Sequence, residues 1–352
     1  MMKVFMKYAS SVFFPILRVW PVYILSALIL AMPAACDKNV PAPQLTPSYD
    51  VYMAGSVEEK AVYWKNGVPV VLNENGSVYA IRVVGSDIYA CGVVNKLTTP
   101  DSLFSGITTV AGITTVATYW KNGEEIPLTN QYGSGALEMA IQDNDIYVVG
   151  YLPNADSVGN AVYWKNGIVN YLSPESWGTA WGIAISGQQI YISGETFSMH
   201  GDSAIVWKNG QKNYYGEIGR ISSIAFHGTD TFYVGMLNYA PSYWLQDKIK
   251  ILYEHGSVLG LAFSGTDVYY GGYIRNGLED NYPAIWKNDS LTVLTEQFTN
   301  SAVSAIAIAG RDVYAGGYIN NQFTGVSPVY WKNGQMEILG SNGQVNSIFV
   351  VH

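Results

Sequence analysis

The chain has 352 residues, of which 49% are hydrophobic, 14% aromatic and only 13% charged, and its formal net charge is −8. An acidic chain without a basic stripe is not expected to bind nucleic acid, because phosphate contacts need lysine and arginine. Abundant Tyr, Trp and Gly with few charged residues are typical of short strands joined by tight turns, and not of helices.

Residues 1–36 carry the features of an export signal. Three basic residues, Lys3, Lys7 and Arg18, accompany a short apolar run at 22–32, and two alanines precede Cys36. The run is shorter than the roughly 20 apolar residues that a membrane span needs. The pattern resembles a bacterial lipoprotein signal peptide, which implies that Cys36 becomes the lipidated first residue and anchors the protein to the bacterial membrane, with the outer membrane as the expected destination. An ordinary cleaved signal peptide and an uncleaved anchor are the alternatives.

Residues 37–49 contain three prolines among polar residues. Proline fixes φ and lacks an N–H, so this segment is predicted to be an extended tether. Residues 50–352 are then the folded domain. Without residues 1–36, which hold three basic and no acidic residues, the net charge becomes −11.

The sequence Ala-Val-Tyr-Trp-Lys-Asn-Gly at 61–67 is repeated along the folded domain. It returns at 117–123, 161–167, 204–210 and 328–334, and in diverged form at 241–247 and 283–289. The copies are centred on Trp64, Trp120, Trp164, Trp207, Trp244, Trp286 and Trp331. Because consensus residues of a repeat usually form its stacking interface, these tryptophans are predicted to pack between units and not to bind a ligand.

One unit, taken over residues 78–128, is predicted to hold four short strands, at 78–85, 88–92, 117–121 and 125–128. Tight turns join the first strand to the second and the third to the fourth, the latter through Asn122-Gly123. An Asn-Gly pair tolerates the positive φ angles of a type I′ hairpin turn. Four antiparallel strands per repeat indicate the blade of a β-propeller.

The first-strand pattern and the second-strand pattern, Asp-x-Tyr-x-x-Gly or a close variant, each occur seven times. The first strands are predicted to begin at Val78, Leu137, Trp181, Ser222, Leu259, Ser304 and Asn346. The domain opens with a second-type strand at Asp50 and ends with a first-type strand at His352. Pairing 346–352 with 51–55 would remove both open edges. The predicted fold is therefore all-β, a seven-bladed β-propeller closed by its C-terminal strand.

Two double-glycine strands, at 267–272 and 312–317, are distantly similar to kelch repeats, although the tryptophan here falls in the third strand of the unit and not in the fourth. The Tyr-Trp-Lys-Asn-Gly copies more closely resemble those of uncharacterised bacterial exported lipoproteins with β-propeller repeats. The resemblance covers nearly all of residues 50–352. It implies the fold and no particular ligand.

The innermost strands have one face of small residues, which suits the crowding of blades near the ring axis. Arg82 and Glu138 interrupt this pattern in adjacent blades. An ion pair between blades is predicted, since buried charges are usually paired, and a polar spot in the central channel is the alternative. The repeated Asp is predicted to accept hydrogen bonds from turn amides, and the repeated Lys to be solvated.

Two connections of each blade are tight and lie at one end of the ring. The other two vary in length and open at the opposite end, here called the variable face, where function is expected to concentrate. Aromatic residues bordered by polar ones there suit sugar rings or peptide chains. The candidate ligand-binding residues are Tyr132, Trp177, Phe197, Arg220, His255, Tyr273, Phe298 and Tyr318.

The longest variable connection, 93–116, contains a duplication, Gly-Ile-Thr-Thr-Val-Ala at 106–111 and again at 112–117. The duplicated segment is β-prone. It predicts either a hairpin that extends two blade strands, which we favour, or a disordered insertion.

No catalytic constellation is evident, because the four histidines lack metal-ligand spacing and no nucleophile elbow or phosphate-binding loop is present. Neither a metal nor a cofactor is expected. Two acidic residues of the variable face, a set that includes Glu195, could still form a glycosidase pair if they lie about 5–10 Å apart.

Three functions follow. The leading one is an exported, lipid-anchored binding module, held to the membrane at Cys36, whose ligand is a glycan or a protein. The second is a structural or assembly lipoprotein that serves as a protein-interaction scaffold, and the third is a polysaccharide hydrolase or lyase. Aromatics at the channel mouth would favour a glycan, an apolar patch on the rim a protein, and two carboxylates of raised pKa an enzyme. The oligomeric state is not predicted.

Overall fold

The computed structural model describes residues 49–98, 112–154, 159–174, 176–198, 201–246, 248–276 and 280–351. The predicted signal segment with Cys36, nearly all of the tether and the first copy of the duplication lie outside the described residues.

The described residues form seven four-stranded antiparallel sheets, which confirms the predicted seven-bladed propeller. Blade 1 contains β1 (Asp50–Val57), β2 (Lys60–Lys65) and β3 (Val68–Asn73). Blade 2 contains β4 (Gly76–Val84), β5 (Asp87–Thr98), β6 (Gly112–Lys121) and β7 (Glu124–Pro127). Blade 3 contains β8 (Gly135–Gln142), β9 (Asp145–Pro153), β10 (Gly159–Lys165) and β11 (Ile168–Tyr171). Blade 4 contains β12 (Trp177–Ser186), β13 (Gln189–Ser198), β14 (Gly201–Lys208) and β15 (Gln211–Glu217), and blade 5 contains β16 (Gly219–His227), β17 (Asp230–Leu237), β18 (Ala240–Leu245) and β19 (Lys248–Ile251). Blade 6 contains β20 (Gly256–Ser264), β21 (Asp267–Asn276), β22 (Asp280–Lys287) and β23 (Ser290–Val293), and blade 7 contains β24 (Ala302–Ala309), β25 (Asp312–Asn321), β26 (Gly325–Lys332) and β27 (Gln335–Ile338).

The ring is closed by the C-terminal strand. Strand β28 (Gly343–Val351) pairs antiparallel with β1, with Phe349 opposite Tyr52 and Ile348 opposite Met53, and it supplies the innermost strand of blade 1. The seven inner strands contact one another in cyclic order, from β4 through β24 to β28 and back to β4. The closure predicted from the order of strand types is therefore present.

The seven repeated tryptophans lie between blades. Each indole is at most 1% exposed. Trp207 of blade 4, for example, packs in a cluster with Tyr147, Val149 and Ala161 of blade 3, and its Nε1 donates to Ser173 Oγ at 3.1 Å. Every other repeated tryptophan likewise shares a cluster with residues of the preceding blade.

The repeated Asp, Lys and Asn form a clamp at the tight end of the blade. In blade 3, Asn166 accepts the backbone N–H of Ile146 and donates through Nδ2 to Asp145, both at 2.8 Å. Lys165 Nζ lies 2.6 Å from Asp145 Oδ2 and 5.2 Å from the ring centre of Tyr147. Blades 1, 2, 6 and 7 repeat the clamp.

The clamp corrects two sequence-based predictions. The backbone amide donates to the turn asparagine and not to the aspartate, whose partners are the asparagine side chain and the lysine. The lysine is accordingly not merely solvated. It joins an aspartate to an aromatic ring, and this ties the start of the second strand to the turn after the third.

The clamp predicts how stability depends on pH. Hydrogen bonds from lysine and asparagine lower the pKa of Asp145, Asp267 and Asp312 from 3.8, the lysine contributing most, while asparagine contributes most to the lowered pKa of Asp50 and Asp87. A lowered pKa in the folded state stabilises fully above the unfolded value and is lost as the pH falls through the folded value. The melting temperature should therefore fall as the pH is lowered from about 5 through the lowered pKa values of these aspartates.

A variant with all five aspartates changed to asparagine tests this expectation. Its melting temperature should be lower at neutral pH and should depend less on pH below about 5. Glu58→Gln with Glu59→Gln changes two exposed carboxylates outside the clamp and serves as the control. If the five-fold variant and the control show the same pH dependence as the wild type, the clamp contributes nothing to stability.

All seven inner strands contain a β-bulge at the same position, a feature that the sequence pattern does not predict. The register with the second strand shifts by one residue in each blade, leaving the bulged residue unpaired. The bulged residues are Tyr79, Leu137, Trp181, Ser222, Leu259, Ser304 and Asn346. The inner strands also begin earlier than predicted, at Trp177 instead of Trp181 in β12 for example.

The bulge explains the repeated glycine that ends the second-strand motif. A Cβ on Gly194 would lie 2.1 Å from the carbonyl oxygen of Thr179, and one on Gly235 would lie 2.1 Å from that of Arg220. The same close approach recurs at the equivalent glycine of every blade. Since no side chain fits such a gap, glycine is required at the second-strand position next to each bulge.

Candidate functional site

The ring of bulges lines the central channel. All seven bulged residues border one cavity of about 360 Å³ on the ring axis. A bulge re-aims the side chain that it carries, and here it turns that side chain toward the axis. The lining is mixed: Tyr79, Leu137, Trp181 and Leu259 are apolar or aromatic, whereas three bulged residues are polar. Arg220 and Gln344 also line this cavity, two positions before the bulge and thus toward the variable face.

Arg82 and Glu138 form the predicted ion pair between blades 2 and 3. Arg82 Nη2 lies 2.8 Å from Glu138 Oε1, and Arg82 Nη1 donates to the carbonyl of Ile81 at 2.7 Å. Glu138 Oε1 also accepts the N–H of Met139. Burial raises the pKa of Glu138, and the charge of Arg82 opposes this rise. Both residues border the channel cavity, so the pair is at once an inter-blade contact and a polar part of its wall.

A second polar group lies where blades 4 and 5 meet. Trp181 Nε1 donates to Glu195 Oε1 at 2.9 Å, and the Arg220 guanidinium carbon lies 5.5 Å from the ring centre of Trp181. Glu195 is 7% exposed. Burial raises the pKa of Glu195, while the hydrogen bond from Trp181 and the charge of Arg220 act in the opposite direction. We call Trp181, Glu195, Arg220 and Ser222 the channel mouth.

The channel mouth contains polar atoms without partners. Arg220 Nε and Ser222 Oγ are buried and have no hydrogen-bond partner among the described residues. Arg220, unlike Arg82, forms no ion pair with a described residue. Buried donors are nearly always satisfied by protein, water or ligand. Because Arg220 and Ser222 both line the cavity, a polar group bound there would lie beside these two side chains.

An aromatic pair leads from the variable face to the channel mouth. Trp177 and Phe197 are directly opposite each other on β12 and β13, and Thr179 and Glu195 are the next same-face pair along these strands. Because alternate residues of a strand share a face, Trp177 and Phe197 stand on the same side of blade 4 as Glu195. Trp177 is 41% exposed. The two rings offer a surface beside the polar channel mouth.

The remaining candidate residues are distributed around the ring. Tyr273 and Tyr318 lie on β21 and β25, and burial, together with the nearby Tyr273, raises the pKa of Tyr318. Tyr132 and His255 are exposed on connections between blades. Of the eight candidates only Arg220 borders the channel cavity, as the structure describes it.

The prediction that all eight candidates lie on loops is wrong for five of them. The five lie on strands that extend further toward the variable face than predicted, and they are Trp177, Phe197, Arg220, Tyr273 and Tyr318. For Trp177 and Arg220 the reason is the bulge that follows them in β12 and β16, because it shifts the alternation of inward and outward residues. Phe197, Tyr273 and Tyr318 lie on second strands, whose pairing with the inner strand continues beyond the glycine that ends the motif.

Phe298, the eighth candidate, lies in a separate groove of about 360 Å³ on the variable face. The groove is formed by the connection between β23 and β24, by the end of β25 and by the turn between β25 and β26. It is lined by Gln297, Phe298, Thr299, Asn320, Asn321, Gln322 and Phe323. We call it the amide groove.

The extended hairpin is present as far as the described residues reach. Strands β5 and β6 stay paired to Thr98 and Gly112, well beyond the neighbouring blades, and the second copy of the duplication lies within β6. Leu97 and Ile113 face each other there and are 80% and 75% exposed. The tip, 99–111, is outside the described residues.

In the described part of the chain, no group of three or more His, Cys, Asp or Glu side chains is arranged to hold a metal ion. No helix in the same residues has the length and hydropathy for crossing a membrane.

Neither a protein-family profile nor a curated protein sequence matches the chain. Several solved structures are similar in fold. A puromycin-hydrolysing peptidase of Mycobacterium tuberculosis is 10% identical with a TM-score of 0.47, and the match covers 83% of this chain but only 52% of the peptidase. The β-propeller domain of the Trilobed protease from Pyrococcus furiosus, which has an open velcro topology, is 11% identical with a TM-score of 0.42, covering 76% and 86%. TolB from Acinetobacter baumannii is 11% identical with a TM-score of 0.41, covering 68% and 61%. This chain thus spans about half the length of the peptidase, and the likenesses concern the fold alone.

Proposed function

We propose that this protein is an exported binding module that holds a carbohydrate at the channel mouth on its variable face. The supporting observation is the aromatic pair of exposed Trp177 and half-buried Phe197 beside a cavity lined by Arg220 and Ser222, whose buried Nε and Oγ have no partner among the described residues. An apolar platform beside convergent polar groups is the usual make-up of a small-molecule site.

The chemistry of a sugar suits this arrangement. A pyranose ring has an apolar face that stacks on an aromatic ring, and hydroxyls at its edge that both donate and accept hydrogen bonds. Glu195 can accept from hydroxyls, while Arg220 can only donate. Because Trp177, Glu195 and Arg220 lie on strands and not on loops, little ordering would be needed on binding.

The expected location follows from the sequence alone. Residues 1–36 and Cys36 support export with a lipid anchor, and the proline-containing segment 37–49 would hold the propeller away from the membrane. Mass spectrometry of the membrane-extracted protein would detect a diacylated or triacylated Cys36, whereas an unmodified N-terminus at another residue would contradict the anchor.

Arg220→Gln tests the proposed site. The ring is complete within Asp50–Val351, so residues 40–352 contain all of its strands. Binding of the best ligand from a glycan screen should weaken by roughly 10- to 100-fold, the range for loss of a charge-assisted hydrogen bond. Isothermal titration calorimetry measures the change.

Arg311→Gln is the matched control, because Arg311 is exposed at the tight turn between β24 and β25, at the opposite end of the ring. It should bind the same ligand as the wild type does. Equal affinity of the Arg220 and Arg311 variants would show that the ligand is not held at the channel mouth.

A protein-interaction scaffold is the second function with structural support. Outer strands β3 and β27 belong to the adjacent blades 1 and 7, and they expose aliphatic side chains such as Val68 (65%) and Ile338 (54%). Exposed aliphatic side chains mark a protein interface where they form a contiguous patch. Val68→Lys with Ile338→Lys would abolish capture of such a partner and leave carbohydrate binding unchanged.

A polysaccharide-cleaving enzyme also has a feature in its favour, the raised pKa of Glu138 and Glu195. Both carboxylates, however, already have partners, Arg82 and Met139 for Glu138 and Trp181 for Glu195. Reducing-end release from a bound polysaccharide, lost in Glu195→Gln, would establish this function in place of simple binding.

A further inference from the structure

The amide groove differs in composition from the channel mouth. Its seven lining residues are four carboxamides, two phenylalanines and a threonine, and none carries a charge. The channel mouth, in contrast, contains Arg220 and Glu195. The two sites therefore offer different chemistry at the same end of the ring.

The walls of the groove are held in place by hydrogen bonds. Ser301 is fully buried and joins both walls, since its Oγ accepts the N–H of Asn320 at 3.0 Å and donates to the carbonyl of Thr299 at 3.2 Å. Asn321 Oδ1 accepts the N–H of Phe323 at 2.9 Å, which fixes the turn at the tip. A groove ordered in advance loses little entropy on binding a ligand.

Phe323 has no evident role in folding. Its side chain is 94% exposed, the largest exposure of any large hydrophobic residue in the described chain. Phe298, on the opposite wall, is partly buried and packs against the core cluster of blade 7. One ring is thus anchored in the fold, whereas the other stands in solvent at the edge of the groove.

The lining matches the groups that a neutral sugar presents. A carboxamide both donates and accepts hydrogen bonds, as a sugar hydroxyl does, and it exerts no charge selection. A phenyl ring supplies the flat apolar surface that a sugar ring face covers. None of the lining residues carries a charge that would compensate an acid or an amine on the ligand.

We infer that the amide groove is a second carbohydrate subsite, selective for uncharged sugar units and separate from the channel mouth. The inference rests on the proposed function only in taking the ligand to be a carbohydrate. Two subsites on one face would hold a polymer at two places, so affinity should rise with chain length once both are occupied.

The test compares Phe323→Ala with Tyr239→Ala in residues 40–352. Tyr239 is another exposed aromatic residue (59%) on the variable face, in the turn between β17 and β18 of blade 5, outside the amide groove. The probes are neutral hexasaccharides of β-glucan, α-glucan, mannan and xylan, and affinity is measured by calorimetry alongside Arg220→Gln.

Phe323→Ala should weaken binding of the preferred hexasaccharide about fivefold or more, with an unchanged melting temperature, while Tyr239→Ala binds as the wild type does. Wild-type affinity in Phe323→Ala, or equal losses of affinity in Phe323→Ala and Tyr239→Ala, would overturn the second subsite. The channel-mouth site would still be supported if Arg220→Gln weakens binding. A loss of affinity in Phe323→Ala without one in Arg220→Gln would support the second subsite and count against the channel-mouth site. Failure of the wild type to bind any of the four hexasaccharides would count against the groove, while binding of other glycans would still test the channel mouth.

Discussion

Trp207→Ala is expected to lower the free energy of unfolding by about 3–5 kcal/mol, the cost of removing a large buried aromatic side chain. Trp207 is completely buried, packs against residues of blades 3 and 4, and donates to Ser173 Oγ at 3.1 Å. The truncation would open a cavity between two blades and leave Ser173 without its partner. Chemical denaturation followed by tryptophan fluorescence or circular dichroism measures the change.

Trp177→Ala provides the matched control for this prediction. It also removes a tryptophan side chain from blade 4, but on the inner strand β12 and at a position that is 41% exposed. Its effect on stability should be well below that of Trp207→Ala. A denaturation midpoint that Trp207→Ala leaves unchanged would mean that the repeated tryptophans do not hold the blades together.

Removal of residues 343–352 is expected to abolish cooperative folding. These residues include β28, and without it blade 1 loses its inner strand, most contacts between blades 7 and 1 are absent, and the hydrogen-bonding edge of β1 is exposed. Buried side chains such as Val345, which is fully buried, would also be lost. The truncated protein should aggregate or show no sharp thermal transition.

A peptide of residues 343–352 added during refolding supplies the control, because it can restore the missing pairing without reconnecting the chain. Recovery of a sharp transition with the peptide would attribute the defect to closure of the ring. A truncated protein that melts as the full domain does would show instead that the ring is stable when open.

The architecture could be predicted from the sequence because its signals are local and repeated. The Asn-Gly pairs mark hairpin turns, and Asn166 and Gly167 do have the positive φ angles, 51° and 80°, of a type I′ turn. Seven copies then fix the number of blades. The order of strand types at the two ends of the domain predicts that 346–352 pairs with 51–55, and β28 pairs with β1.

The bulges could not be predicted, because a bulge erases the pattern on which strand prediction depends. A one-residue shift moves every following side chain to the other face, so the segment before the bulge is out of phase with the segment after it. Six of the seven predicted first strands accordingly start at the bulged residue itself, as at Trp181 and Ser222. The residues before the bulge include Arg220, for which the sequence pattern predicts a loop.

The candidate site was predictable only in part for the same reason. Arg82 and Glu138 could be matched because both interrupt the small-residue pattern in neighbouring inner strands, and they lie 2.8 Å apart. Trp181, Glu195 and Arg220 come together from three strands of two blades, and the bulge decides where Trp181 points. A bulge can be suspected where a glycine closes the second-strand motif, since Gly194 has no room for a side chain.

The most direct measurement is a glycan-array screen of residues 40–352, carried out with the wild type and with Arg220→Gln. The proposed function predicts binding to at least one class of glycan, with a signal that falls by about tenfold or more in the variant. A wild-type domain that melts cooperatively and binds no glycan, or binds one equally well without the Arg220 side chain, would contradict carbohydrate binding at the channel mouth.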